Sequence, residues 1–111
     1  METLNPIAAF SALSQQTRLD VFRLLIKAGP EGLLSGEIGE SLKVKQNTMS
    51  ANLAVLLNSG LIRNERQGRT IRYFSDMNTL RALLVFLMED CCAGRSERCK
   101  PIIDELVCAS C

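Results

Sequence analysis

The stretch KQNTMSANLAVLL, residues 45–57, decides how the rest of the chain is read. Met49, Leu53, Leu56 and Leu57 recur at helical spacing and form one apolar stripe. Lys45, Gln46, Asn47, Thr48, Ser50 and Asn52 are assigned to the opposite face, which carries hydrogen-bonding side chains and no acid. Such a face suits a base edge, but a polar outer face on an amphipathic helix is more often simply solvated. The flanking sequence chooses between the two.

Upstream, Asn5 followed by Pro6 opens a first helix that ends near Ser14, with Ile7, Phe10 and Leu13 as its apolar side. Residues 15–28 read as a second helix, with Val21, Phe22, Leu25 and Ile26 inward and Arg18, Asp20, Arg23 and Lys27 outward; Gly29 and Pro30 stop it. Ser35 is placed to cap a third helix running to about Lys43, with Ile38 and Leu42 buried. Few residues separate this helix from the opening stretch. Short helix, tight turn and second amphipathic helix make a helix-turn-helix, whose second helix lies in the major groove. Lys45 and Gln46 cap poorly, leaving that role to Asn47 or Thr48.

Downstream, Asn58, Ser59 and Gly60 end the helix, and LIRNERQGRTIRYFS follows at 61–75. Two strand-like runs, 61–66 and 70–75, flank Gln67-Gly68-Arg69, a hairpin loop with glycine where a positive φ is wanted. Arg63, Arg66, Arg69 and Arg72 stud this hairpin, which therefore reads as a wing placed against the phosphate backbone or the minor groove. From Lys43 to Arg72 there are six basic residues and one acid, a local charge of +5 in a chain whose net charge is +1. That asymmetry suits a local phosphate contact more than general adhesion.

Asp76 is a natural cap for a further helix carrying Leu80, Leu83, Leu84, Val85, Phe86, Leu87 and Met88. Apolar residues occupy nearly its whole circumference, so it must be covered on more than one side, and a partner subunit is the expected second cover. Gly94 is placed to end it just after Cys91 and Cys92. A charged loop leads to Cys99, and Pro101 opens a last amphipathic turn or two with Ile102, Ile103, Leu106 and Val107 on one side.

The 111 residues, 47% hydrophobic and 23% charged, suit one globular domain with a modest core. No stretch approaches the roughly 18 apolar residues of a membrane span and the N-terminal segment has no signal-peptide pattern, so the chain reads as cytoplasmic, without a membrane role. All five cysteines fall in the last 21 residues, the wrong distribution for a disulfide framework and the right one for ligands or redox groups. Histidine is absent, which removes imidazole metal sites and Ser-His and Cys-His catalytic pairs. No Cys-x-x-Cys opens a helix either, so a thiol enzyme is disfavoured; no catalytic residue or catalytic cofactor is expected.

With these pieces in place, TRLDVFRLL at 17–25 and EIGESLKVKQNTMSANLAVLLNSGLIRNERQGRTIRYF at 37–74 resemble the ArsR/SmtB family of metalloregulatory repressors. The resemblance spans about residues 5 to 90 and is most specific at Ser50-x-x-Leu53-x-x-Leu56, Ser59-Gly60-Leu61 and Gly68-Arg69-x-x-x-Tyr73. It implies a mainly α fold with a β-hairpin wing, a winged helix-turn-helix homodimerising through its first and last helices and releasing double-stranded operator DNA when an inducer binds. The family's third-helix thiol pair is absent, because residues 34–38 are LSGEI, and its Asp/His zinc site on the last helix is absent for want of histidine. Cys91, Cys92 and Cys99 are similar to a third arrangement, used by an arsenic-sensing group.

The chemistry of three thiols agrees with that resemblance, since trivalent arsenic and antimony are soft centres that take three thiolates in a pyramid. Adjacent cysteines on a continuous helix diverge by about 100°, so the helix must end or loosen there. Seven steps from Cys92 span up to roughly 25 Å, ample for Cys99 to fold back. Alternatives stay open: methylated trivalent arsenicals, a thiophilic divalent metal such as zinc, cadmium or lead, in which Cys108 and Cys111 could join, or thiol oxidation. The resulting expectation is a cytoplasmic arsenic- or antimony-responsive repressor. Residues 1–94 form its DNA-binding and dimerisation domain and 95–111 a cysteine-bearing tail. Lys45, Gln46, Asn47, Thr48, Ser50, Asn52, Arg66, Arg69 and Arg72 contact DNA, and Cys91, Cys92 and Cys99 hold arsenite or antimonite.

Overall fold

A computed structural model describes residues 5–89 and 96–106. Asn5 accepts the Ala8 amide at 3.0 Å and starts α1 (Pro6–Leu13), as its sequence position requires. Gln15 does the same for α2 (Gln16–Ala28), its side chain accepting from the Arg18 amide at 2.9 Å. A 3-10 turn (Gly29–Glu31) leads into β1 (Leu33–Leu34), α3 (Ser35–Leu42) and α4 (Gln46–Asn58). The chain continues through β2 (Ile62–Gln67), β3 (Thr70–Ser75), α5 (Met77–Met88), a second 3-10 turn (Ser96–Arg98) and α6 (Lys100–Leu106). The fold is a winged helix-turn-helix, mainly α with an antiparallel hairpin.

Two local expectations change. Ser35 is the first residue of α3 rather than its cap, and the Glu37 carboxylate accepts the Leu34 amide at 2.7 Å, half of a reciprocal cap. The hairpin also has a third strand: Leu33 and Leu34 pair with Tyr73 and Arg72 along the outer edge of β3, giving the order β1-β3-β2. Two residues carry too little periodicity to announce a strand, and it exists because β3 offers an edge to pair with.

The core is one cluster built from Ala9, Ala12, Val21, Phe22, Leu25, Ile38, Met49, Leu53, Leu56, Leu61, Ile62, Tyr73 and Leu83. α1 contributes Ala9 and Ala12, while Ala8, Phe10 and Leu13 are half-buried and Ile7 is 77% exposed. Small side chains let α1 lie close to α2, with Phe10 and Leu13 packed at the edge of the core and Ile7 outside it. α5 is likewise covered on one side only: Leu83 and Thr79 are buried, whereas Leu84, Val85, Phe86 and Leu87 are 42–58% exposed. The single chain thus covers one side of a helix whose last two turns are apolar around nearly the whole circumference.

Asp76 caps α5 by accepting from the Asn78 and Thr79 amides at 3.1 and 3.2 Å. The Thr79 hydroxyl, in a residue 1% exposed, has no hydrogen-bond partner among the described residues. An orphaned buried hydroxyl costs about 1 kcal/mol or more, and valine has the same shape without it. Thr79→Val should therefore raise the urea midpoint of unfolding at unchanged slope, a gain of about 1 kcal/mol.

Candidate nucleic-acid interface

Helix α4 buries Met49, Asn52, Leu53 and Leu56, an i, i+3, i+4, i+7 set, and seats them on the core. Lys45, Gln46, Asn47, Thr48, Ser50 and Ala51 are exposed. Lys45 occupies the cap position with no side-chain hydrogen bond, and Asn47 spends its oxygen on the Thr48 amide at 2.9 Å. The first turn of α4 thus leaves orphan N–H groups beside an exposed lysine, a combination suited to a phosphate oxygen.

Asn52 departs from expectation. It is 8% exposed, and its Oδ1 accepts from Arg18 Nη1 at 3.2 Å, so it faces the protein interior and leaves the outer set. Its position gives the reason: three residues after Met49 and four before Leu56, it lies within the apolar stripe rather than opposite it. Arg18, expected to point outward, also donates from Nε to the Ala12 carbonyl at 2.7 Å. The internal Arg18 contact is the feature that the sequence reading missed, and the polar residue interrupting the α4 stripe was the available signal.

In the wing, Gln67 faces Thr70, which leaves a two-residue turn of Gly68 and Arg69 with Gly68 at φ 67°. Glycine first in a two-residue hairpin turn matches the twist of the strands it joins. Antiparallel pairing sets Arg63 and Arg72 on one face of the ribbon and Arg66 on the other. Arg63 lies over the Phe74 ring, 4.5 Å from its centroid, which holds its guanidinium at the base of the wing. Arg72 donates to Gln67 Oε1 at 3.0 Å and to the Glu31 carbonyl at 3.2 Å, bracing the wing against the turn after α2. Two of its five donors are therefore used internally. Arg66 and Arg69 are exposed and have no hydrogen bond or ion pair among the described residues; the salt bridge found there is Lys100 to Asp104, at 3.4 Å on α6. The charge of the wing tip and of Lys43 and Lys45 is left unneutralised.

Helix α5 ends at Met88, earlier than expected, and Cys91, Cys92 and Gly94 lie outside the described residues, as do Cys108 and Cys111. Cys99, between the second 3-10 turn and α6, is 3% exposed and disulfide-bonded. Among the described residues, no group of three potential ligands is assembled for a metal.

A family model described as a helix-turn-helix domain matches residues 13–65. The chain is 32% identical over 96 residues to YbzH of Bacillus subtilis, an uncharacterized HTH-type transcriptional regulator, covering 76% of this chain and 96% of that one. It is 34% identical over 73 residues to the arsenical resistance operon repressor of Escherichia coli, covering 66% of this chain and 61% of that one. The chain belongs to the ArsR family. Among solved structures, this ArsR-family regulator resembles the homodimeric winged helix-turn-helix DNA-binding domain of Mb0332 from Mycobacterium bovis. The TM-score is 0.62 at 27% identity, covering 76% of this chain and 77% of that one. It is a DNA-binding transcriptional regulator, and no helix among its described residues is long and apolar enough to cross a membrane.

For this ArsR-family regulator the free guanidinium at the wing tip gives a direct prediction. Arg69→Ala should weaken binding to every DNA sequence alike and lower the slope of log K against log salt by about 1, as loss of one phosphate contact does. Affinities measured at several salt concentrations on two unrelated duplexes would check this, and a loss confined to one sequence would contradict a backbone role.

Proposed function

We propose that the protein is a cytoplasmic, non-enzymatic, homodimeric repressor that holds a two-fold-related operator in its inducer-free state and leaves it on binding trivalent arsenic or antimony through Cys91, Cys92 and Cys99. The cysteine cluster carries this reading. All five cysteines fall in the last 21 residues, and Cys99 is 3% exposed and disulfide-bonded. The likeness to the E. coli arsenical repressor supports the same inducer class. In the reduced protein, arsenous acid would exchange its three hydroxyls for three thiolates and release three waters, and soft ligands favour this soft centre.

The dimer reading rests on the exposed apolar residues of α5, together with Ile7 on α1. Covering that face with a second copy would set two α4 helices in successive major grooves, roughly 34 Å apart. Gln46, Asn47, Thr48 and Ser50 would face base edges, with Lys45, Arg66 and Arg69 on phosphates and the remaining donors of Arg72 in reach of the backbone. Inducer binding near the end of α5 would act on the subunit contact and so on the spacing of the reading helices. Release requires the inducer to prefer the weakly binding form, a coupling typically of about 1 to 3 kcal/mol.

The disulfide at Cys99 favours a second reading, in which thiol oxidation is the signal. A single titration separates the readings. A labelled duplex from upstream of the protein's own coding sequence is bound by the reduced chain, and arsenite, antimonite, zinc or an oxidant is added. Release by arsenite and antimonite supports the arsenic reading. Release by oxidant or zinc alone would overturn it, and failure to bind any upstream duplex would instead point to a buffer for thiophilic ions.

A further inference from the structure

Helix α4 meets the body of the protein through four buried residues, three of them apolar. An apolar seam tolerates small rotations and shifts, because dispersion and area burial are not directional. The fourth residue, Asn52, is polar, and burying it without a partner would be costly. Its partner is a guanidinium, whose fixed fork can satisfy the amide oxygen only within a narrow range of angles. Arg18 makes a second bond from the same fork, to the Ala12 carbonyl in the last turn of α1, where carbonyls lack helical partners and positive charge is favoured. Its backbone is fixed as well, by the Gln15 side chain that caps α2. The two bonds of one side chain therefore join three helices: α1, which bears the exposed Ile7, α2, and the reading helix.

We propose that Arg18 is a positioning residue for DNA reading: by bridging the Ala12 carbonyl and Asn52 it holds α4 in one rotational setting against α1, so that Gln46, Asn47 and Ser50 face outward together. A single polar pair in an otherwise apolar helix seam fixes register in this way elsewhere, at some expense in stability. The proposal rests on the DNA-reading role of α4. It assigns Asn52 an indirect part in recognition without contact to a base.

The test uses the full chain, its Arg18→Met and Asn52→Leu variants, which keep bulk while removing the polar pair, and the double variant. The DNA probe is a duplex enriched from a randomised pool by the unmodified protein. Each single variant should lose about tenfold or more in affinity for that duplex, the scale of one charge-assisted hydrogen bond, while affinity for unrelated DNA holds. The double variant should be no weaker than the weaker single one, because both remove the same bridge. Amide hydrogen exchange without DNA gives a second readout: exchange should quicken in residues 46–58 in both single variants and stay slow in α2, and Asn52→Asp, which keeps an acceptor for Arg18, should restore slow exchange.

Additive losses would overturn the bridge. So would a loss for Asn52→Leu confined to one base pair of each half-site, which would make Asn52 a base reader. Unchanged exchange in α4 would also overturn it. If the unmodified protein enriches no duplex, the DNA-reading premise fails separately, and exchange decides whether the bridge holds α4.

Discussion

Cys99→Ser should bind the operator like the unmodified protein and stay bound when arsenite is added. A serine hydroxyl is a hard, neutral donor at physiological pH, so on the proposed three-thiolate site the substitution would remove one of three soft ligands and with it the energy that would favour the released state. Without that differential binding, an inducer cannot move the equilibrium. The coupling to be lost corresponds to about 5- to 150-fold in operator affinity. Because Cys99 is buried and disulfide-bonded, the assay needs a phosphine reductant, which frees the thiol without competing for arsenic as a dithiol would. Cys91→Ser and Cys92→Ser should behave alike. Anisotropy of a labelled operator, titrated with arsenite, reads the outcome. If release persists in all three variants, the thiol site is wrong; if only the adjacent pair matters, a methylated arsenical with two exchangeable bonds becomes the expected inducer.

Gly32→Ala should be among the most destabilising single substitutions in the chain, at about 3 to 5 kcal/mol. Gly32 has φ 62° and ψ −169°, a conformation that essentially only glycine adopts. A Cβ there would penetrate the backbone oxygen of Tyr73 and lie 2.6 and 2.7 Å from two carbons of the Phe74 ring. The strain of the backbone and the overlap with β3 therefore add, at the residue that delivers the chain into β1. Against a typical total stability of 5 to 15 kcal/mol, the loss should appear as a large drop in the denaturant midpoint and reduced DNA binding through unfolding. Gly36→Ala is the control. It sits in α3 with open space around it, and it should be neutral or slightly stabilising.

Much of this architecture could be read from local chemistry. Asn5 with Pro6, Asp76 and the Gly68-Arg69 turn act through their immediate neighbours, so the starts of α1 and α5 and the centre of the hairpin fall where their residues place them. The periodicity of Met49, Leu53 and Leu56 likewise placed the inner face of α4 correctly. The outer face was less legible. Asn52 was assigned by its polarity, yet its position inside the stripe outweighed its chemistry because a charged partner was waiting on another helix. Arg72 belongs by composition with the other wing arginines, and its partners on Gln67 and Glu31 appear only once the wing is folded beside the turn after α2.

By itself, then, the sequence determined the succession of helices, the hairpin, the basic middle and the crowding of thiols at one end, because caps, turns, periodicity and charge counts act over a few residues. Only the tertiary structure decided which cations remain exposed and which brace the protein. It also decided that α1 turns Ala9 and Ala12 inward and that one polar pair ties α4 to the body. Those outcomes depend on partners 34 and 41 residues apart in the chain, and no local pattern records such a distance.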